Sequence, residues 1–310
     1  MAKFSFFLPA YKAKFLDDTI KSIISQSYAD WELVIVNDCS PEDIERIIAP
    51  YQEDSRVKYF ENPENKGGHD LVSFWNSFIP ICEGEFIIFA SDDDVYEASF
   101  LFEMRYLSDK YPNCNLLHCR TRFIDEYGQV IQMVQPSLEY ESQIDFIYQK
   151  LIWGRKLTLQ EYCFKRKVLE ENGGIINFPL AWYSDNATTF TMASGGVAYS
   201  SKCLFNFRLS NINISGQEKK CFQKTEAMKR YVKWLGIFLP SIVCKSVDED
   251  FMKVRMLSLY KGIVFSHYHI YLPYLRTNEF LKEIRYIRKK HLFANKTQFS
   301  MIVRHFFSKK

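Results

Sequence analysis

Glycine and proline are scarce in this chain, at 12 and 10 of 310 residues. Together with a 47% apolar and 25% charged composition, that scarcity excludes a collagen-like, low-complexity or disordered polymer. Long apolar runs are missing as well. Trp234 to Cys244 carries Pro240 inside it, and Met256 to Leu275 is broken by Lys261, His267, His269 and Pro273, so neither suits a bilayer span. The start lacks the extended apolar core of a signal peptide, because Pro9 and Lys12 interrupt it. The eight cysteines match no metal-binding spacing: Cys114 and Cys119 lie close, and no second pair completes a site. They are expected to be reduced core thiols of a cytosolic protein. Neither a Gly-x-Gly-x-x-Gly after the first strand nor a Walker A sequence occurs, which excludes the usual dinucleotide and P-loop sites.

What the chain has is aromatic bulk and divided charge. Aromatic residues make up 16% of it. The net charge of +3 conceals −11 over residues 1–100, +1 over 101–210 and +13 over 211–310, counted from Lys, Arg, Asp and Glu. Within the first hundred residues, apolar runs at Phe4 to Leu8, Leu33 to Val36, Val57 to Phe60 and Phe86 to Ala90 alternate with helical stripes. The stripes include Leu16, Ile20, Ile23 and Ile24, and later Leu71, Val72, Trp75, Phe78 and Ile79. This is the pattern of an α/β fold with a mostly parallel sheet flanked by helices. A short helix is expected from Pro41 with Ser40 as its N-cap. Leu116 to Ile124 reads as a strand turning at Asp125 to Gly128 into Val130 to Val134, and Lys167 to Glu171 as a helix closed by Asn172-Gly173-Gly174. Beyond about residue 217 the chain is helical, aromatic and basic.

The polar clusters stand at the carboxyl ends of strands, where open α/β sheets bind ligands. The sharpest is Asp92-Asp93-Asp94 after Phe86-Ile87-Ile88-Phe89. Adjacent carboxylates repel by several kcal/mol when desolvated, at an effective dielectric of about 20. A solvated acidic turn that caps a helix is one reading. A site for Mg2+ or Mn2+ with substrate phosphates is the other, and the apolar lead-in favours it.

In order along the chain, several segments resemble the inverting family 2 glycosyltransferases of GT-A fold. They are Ser5-Phe6-Phe7-Leu8-Pro9-Ala10-Tyr11, the helix from Leu16 to Gln26, Glu32 to Ser40 with Asp38, Asn65-Lys66-Gly67, and Ser91-Asp92-Asp93-Asp94 at the place of the DxD motif. The likeness covers about residues 3–210. It implies a catalytic domain over 1–215, with a nucleotide-binding half near 1–114, an acceptor half near 115–215, and a helical basic extension over 216–310. It further implies transfer of a single sugar from a nucleotide diphosphate-sugar, UDP-sugar favoured, to a glycan or lipid-linked acceptor in surface polysaccharide synthesis. Pro9, Tyr11, Asp38, Asn65, Gly67, Asp92, Asp93 and Arg208 would bind the donor, and Asp93 and Asp94 would bind Mn2+ or Mg2+. Asp185, in Trp182-Tyr183-Ser184-Asp185-Asn186, resembles the carboxylate that takes the acceptor proton, although Asp also caps helices. Trp182 and Tyr183 suit either a sugar face or a core.

Two features depart from the family pattern. Ser91 holds the place of the first Asp of DxD, and Trp75-Asn76 stands where Arg-Asn is usual. Arg208 resembles a late Arg that would replace the missing one, but is also an ordinary ion-pair residue. These departures keep open a sugar-nucleotide-binding protein without turnover. A metal-dependent phosphohydrolase would want an Asp after the first strand, where Pro9-Ala10-Tyr11 stands. No Gln-x-x-Arg-Trp motif of a processive synthase occurs.

In the last part, Lys282, Arg285, Arg288, Lys289, Lys290, Lys296, Arg304, Lys309 and Lys310 interleave with aromatic and aliphatic residues. Residues 282–310 therefore suit an anionic membrane surface, the inner face of the cell membrane included, or a solvated helix face packed on the catalytic part. The acidic front third argues against a nucleic acid partner.

Overall fold

A computed structural model describes residues 3–156, 158–210 and 220–292, with Gln298 and Met301. Strand β1 (Phe4–Ala10) is apolar on both faces because helices cover both sides of the sheet. β2 (Trp31–Asn37), β3 (Val57–Glu61) and β4 (Phe86–Phe89) pair in parallel in the order β3-β2-β1-β4. Helices α1 (Leu16–Ile24), α2 (Glu45–Ile48) and α3 (Lys66–Phe78) make the crossovers. The helix expected from Pro41 thus begins at Glu45. The intervening residues turn first, with Asn37 Oδ1 accepting the Ser40 N–H at 2.9 Å and Ser40 Oγ accepting the Glu42 N–H at 3.0 Å.

Beyond β4 antiparallel strands join the parallel ones. There follow β5 (Val95–Tyr96), α4 (Phe100–Lys110), β6 (Leu116–Ile124), β7 (Val130–Met133), β8 (Tyr140–Glu141), α5 (Gln143–Leu151), β9 (Tyr162–Lys165), α6 (Arg166–Glu171), α7 (Ser184–Met192) and β10 (Val197–Arg208). β9 lies antiparallel between β4 and β6, β10 runs parallel to β6, and the short β5, β7 and β8 pair antiparallel at the margins. One path, β3-β2-β1-β4-β9-β6-β10-β5, therefore runs through residues 4–208.

Alternation along the strands sends Phe4, Phe6 and Leu8 to one core and Phe7 with Phe89 to the other. The C-terminal helices α8 (Cys221–Ser241), α9 (Val247–Ser266), α10 (Tyr268–Tyr271) and α11 (Thr277–Lys289) belong to the second core through Tyr231, Leu235, Tyr268, Phe280, Ile284 and Ile287. In α11 the apolar and basic residues are sorted onto opposite faces. Phe280, Ile284 and Ile287 are buried, whereas Lys282, Arg285, Arg288, Lys289 and Lys290 are exposed. The rest of the basic stretch, from 293 on, lies outside the described residues apart from Gln298 and Met301. No helix among the described residues is long and apolar enough to cross a membrane. All eight cysteines are free; Cys39, beside Asp38 and with φ 53°, is the exposed one.

Candidate active site

The carboxyl ends of β1, β2 and β4 converge on one edge. From β2, Asp38 turns inward and is 4% exposed. Its Oδ1 accepts from Asn62 Nδ2 at 2.7 Å and from the Lys66 N–H at 3.0 Å, and its Oδ2 accepts from the Gly67 N–H at 2.8 Å. A carboxylate offers about four lone-pair sites, so one remains for a ligand. Asn65 caps α3 by accepting the Gly68 N–H. A Cβ at Gly67 would lie 2.9 Å from Asp38 Oδ2, so glycine is what permits this close approach. Pro9 and the buried Ala10 end β1, and Tyr11 follows with 39% of its surface exposed at the edge.

The three consecutive aspartates have different partners. Asp92 Oδ2 accepts the N–H groups of Tyr11 at 3.0 Å and Lys12 at 2.8 Å, fixing the end of β1. Asp93 receives Ser91 Oγ on one oxygen and the Lys12 ammonium at 2.7 Å on the other. Asp94 has no exposed surface; its Oδ1 accepts the Arg208 N–H at 2.9 Å, its carbonyl accepts Thr19 Oγ1 at 2.7 Å, and its Oδ2 has no partner among the described residues. Burial pushes the Asp94 carboxyl well above the usual carboxylate range. Lys12, which the sequence reading missed, also lies 2.9 Å from Asp92. Burial pulls its ammonium down, but the two carboxylates hold it above the usual lysine value. Its one sequence signal was a cation directly after Tyr11.

No group of three His, Cys, Asp or Glu side chains among the described residues is placed to hold a metal. The partnerless Asp94 oxygen, the Asp93 carboxylate and the ammonium already standing between Asp92 and Asp93 nevertheless fit a cation there. Such a cation would use one or two carboxylates and take its other ligands from phosphate and water, as Mg2+ does. Arg208 braces this turn: its guanidinium donates to the carbonyls of Asp93 and Glu126 at 2.9 and 3.2 Å, meets Asp18 at 3.3 Å and covers Phe15. Behind the turn, Gln26 donates to the Ser22 and Glu97 carbonyls and accepts from the Leu101 N–H.

Asp185 arrives from the other half, in the first turn of α7, half-buried. Its carboxylate takes no hydrogen bond from the described residues, unlike those of Asp38, Asp92 and Asp93. The preceding segment is tied to α3, whose start Asp38 holds. Asn76 bonds both the carbonyl and N–H of Ile175, at 2.9 and 2.8 Å, and Asp70 receives Asn177 Nδ2 at 3.0 and 3.1 Å. Asp70 also interrupts α3, with φ −145° and ψ 93°, and caps its second part through Ser73. Before Asp185, Leu180, Ala181 and Tyr183 have φ of 61°, 57° and 71°. Left-handed backbone at such residues costs on the order of 1–3 kcal/mol each and persists where surroundings impose it. Ser184 Oγ accepts the Phe178 N–H at 3.1 Å and closes the loop. Lys150, on α5, feels Asp185 and Glu161; burial pulls its ammonium below the usual lysine value, and the two acids oppose that. No spacing in the sequence marked Lys150, Asp70 or the tie through Asn76.

The family model described as Glycosyl transferase family 2 matches residues 5–165. The chain is 24% identical over 233 residues to the putative teichuronic acid biosynthesis glycosyltransferase TuaG of Bacillus subtilis, covering 73% of this chain and 87% of that one. It is 24% identical over 239 residues to the UDP-Glc:alpha-D-GlcNAc-diphosphoundecaprenol beta-1,3-glucosyltransferase WfgD of Escherichia coli, covering 76% of this chain and 86% of that one. The structure of S. aureus TarS 1-349 in complex with UDP-GlcNAc matches with a TM-score of 0.67 at 17% identity, over 97% of this chain and 87% of that chain, a likeness of fold.

Proposed function

The chain belongs to glycosyl transferase family 2, and from that premise we propose that it moves one sugar, with inversion, from a UDP-sugar to a lipid-linked saccharide in surface polysaccharide synthesis. One observation carries the reading: an acidic edge that holds the Lys12 ammonium at the ends of β1, β2 and β4 is tied through α3 to the loop that presents the Asp185 carboxylate, which takes no hydrogen bond from the described residues. The WfgD relative's UDP-Glc donor and diphosphoundecaprenol-linked acceptor support this choice of donor and acceptor.

In this reading the base lies against Tyr11 and donates to the free lone pair of Asp38. Asn65 and Gly67 hold that edge in place, while Asp92 fixes the β1 end and Arg208 the acidic turn. Lys12 and Asp93 face the diphosphate. Asp93, with Asp94 through its partnerless oxygen, would hold Mn2+ or Mg2+, which when bound neutralises charge on the departing diphosphate. Asp185 takes the acceptor hydroxyl proton while that oxygen bonds to the anomeric carbon; the bond from carbon to diphosphate oxygen breaks, and the diphosphate leaves with its electron pair. The outward cations of α11 would hold the enzyme at the anionic inner face of the membrane by attraction alone, since the apolar side of that helix is in the core.

The test is thermal stabilisation by UDP, GDP and dTDP, each with and without Mn2+. Stabilisation by UDP that grows with Mn2+ is expected; the same response to all three, or to none, contradicts the donor assignment. Asp185→Asn should retain UDP binding and lose transfer by at least about 100-fold, the usual weight of a general base.

A further inference from the structure

The C-terminal helices touch the Asp185 loop through five contacts. The Tyr183 ring stacks on Tyr231 of α8, with centroids 4.5 Å apart and planes 7° from parallel. Tyr183 Oη lies 3.3 Å from His267 Nδ1, at the end of α9. Trp182 meets Tyr271 of α10 edge to face at 6.2 Å, and the Lys224 ammonium of α8 sits 4.5 Å from the Trp182 ring. Phe178, where the loop begins, packs edge-on against the same Tyr231 at 6.0 Å. Between these contacts lie the three left-handed residues Leu180, Ala181 and Tyr183, none of them glycine. Within the loop, Ser184 Oγ accepts the Phe178 N–H, and the Ala181 and Trp182 N–H groups donate to the carbonyls of Phe178 and Pro179 at 2.9 and 3.2 Å, bonds that involve the backbone and not the rings of Trp182 and Tyr183.

We infer that α8, α9 and α10 form a clamp that completes the catalytic centre, with Tyr231 and His267 as positioning residues that hold Tyr183, and so Asp185, at the acceptor hydroxyl. The inference rests on the assignment of Asp185 as the base. It gives the helical extension a second role besides any surface attraction, and it accounts for the aromatic pair Trp182-Tyr183. Their rings face helices of the same chain, and this contact imposes the loop conformation. The donor edge, built on Asp38 and the acidic turn, has no part in the clamp.

The experiment uses the full chain. Tyr231→Leu removes the ring and keeps an apolar side chain of moderate size; Tyr231→Phe keeps the ring; Asp185→Asn is made in parallel. Tyr231→Leu should lower kcat for sugar transfer at least tenfold while Kd for UDP with Mn2+ stays within twofold, and Tyr231→Phe should return kcat to within threefold of the parent. Retention of kcat by Tyr231→Leu overturns the clamp, as does a parallel loss of UDP affinity, which marks general damage. Should Tyr231→Leu fail to fold, His267→Ala at its exposed position decides the matter: a fall in kcat of threefold or more at unchanged UDP affinity supports the clamp, and an unchanged kcat overturns it. Transfer that survives Asp185→Asn refutes the base assignment instead. Loss there, with full kcat in Tyr231→Leu, refutes the clamp alone.

Discussion

Gly67 shows how little space the proposed donor edge leaves. A methyl group there would meet Asp38 Oδ2 at 2.9 Å, Phe74 at 3.2 Å and Leu71 at 3.3 Å. Asp38 cannot swing away without losing its bonds to Asn62, Lys66 and Gly67. Gly67→Ala should therefore weaken UDP binding about tenfold, equivalent to about 1.4 kcal/mol, as isothermal calorimetry would read. Ala181 presents the opposite case, since its φ of 57° suits glycine and opposes a β-branched side chain. Ala181→Val should destabilise by about 1–3 kcal/mol, and Ala181→Gly should stay within about 0.5 kcal/mol of the parent, in urea denaturation followed by fluorescence.

Among the elements, the foot of β1 and β2 opposite the Asp38 edge is held by a buried carboxylate. Glu32 is 4% exposed, accepts from Ser5 Oγ and the Glu83 N–H, and pairs with Lys58 at 2.8 Å. Burial pushes its carboxyl up, but Lys58, Ser5 and Glu83 outweigh that and hold it below the usual range. A depressed carboxyl contributes stability that is present above the unfolded value, near 4.3, and is lost as pH falls through the folded one. Glu32→Gln should cost about 1–3 kcal/mol at pH 7, and that deficit should shrink once the pH drops below about 4. Denaturant titrations at pH 7 and pH 3.5 would show whether it does.

Elements of this kind were legible where one periodicity ruled. β1 to β4 and their crossovers follow directly from runs such as Phe4 to Leu8 and Leu33 to Val36. The acidic turn was legible as a place and not as a division of labour. Three identical residues acquire different roles from partners 81 and 114 positions away, the N–H groups of Tyr11 and Arg208. Left-handed backbone at Leu180, Ala181 and Tyr183 has no sequence signal, and in the clamp inferred above it is imposed by contacts with helices that follow much later. Helix α9 was blurred for another reason: Val247, Phe251 and Val254 are exposed while Met256, Tyr260 and Val264 are buried, so apolar residues lie on both faces.

Over the whole molecule, the split charge maps onto two surfaces. The −11 of residues 1–100 includes the edge with Asp38 and Asp92 to Asp94, and the +13 of 211–310 includes the outward side of α11. Truncating that helix would remove Phe280, Ile284 and Ile287 from the core, so charge reversal is the cleaner probe. Changing Lys282, Arg285 and Lys289 to Glu together should weaken binding to phosphatidylglycerol vesicles at low salt by at least about 100-fold, at roughly 1 kcal/mol for each cation. UDP affinity should not change; co-sedimentation and calorimetry measure the two. The thiols are as unevenly placed as the charges. Burial raises Cys82 to about 12 and Cys114 to about 11, whereas Cys39 is exposed beside Asp38. One equivalent of a maleimide dye at pH 7 should accordingly label Cys39 first, and more slowly when UDP is bound. In the proposed reading the sequence thus carries its own attachment point for an optical reporter of donor occupancy, with no engineered cysteine required.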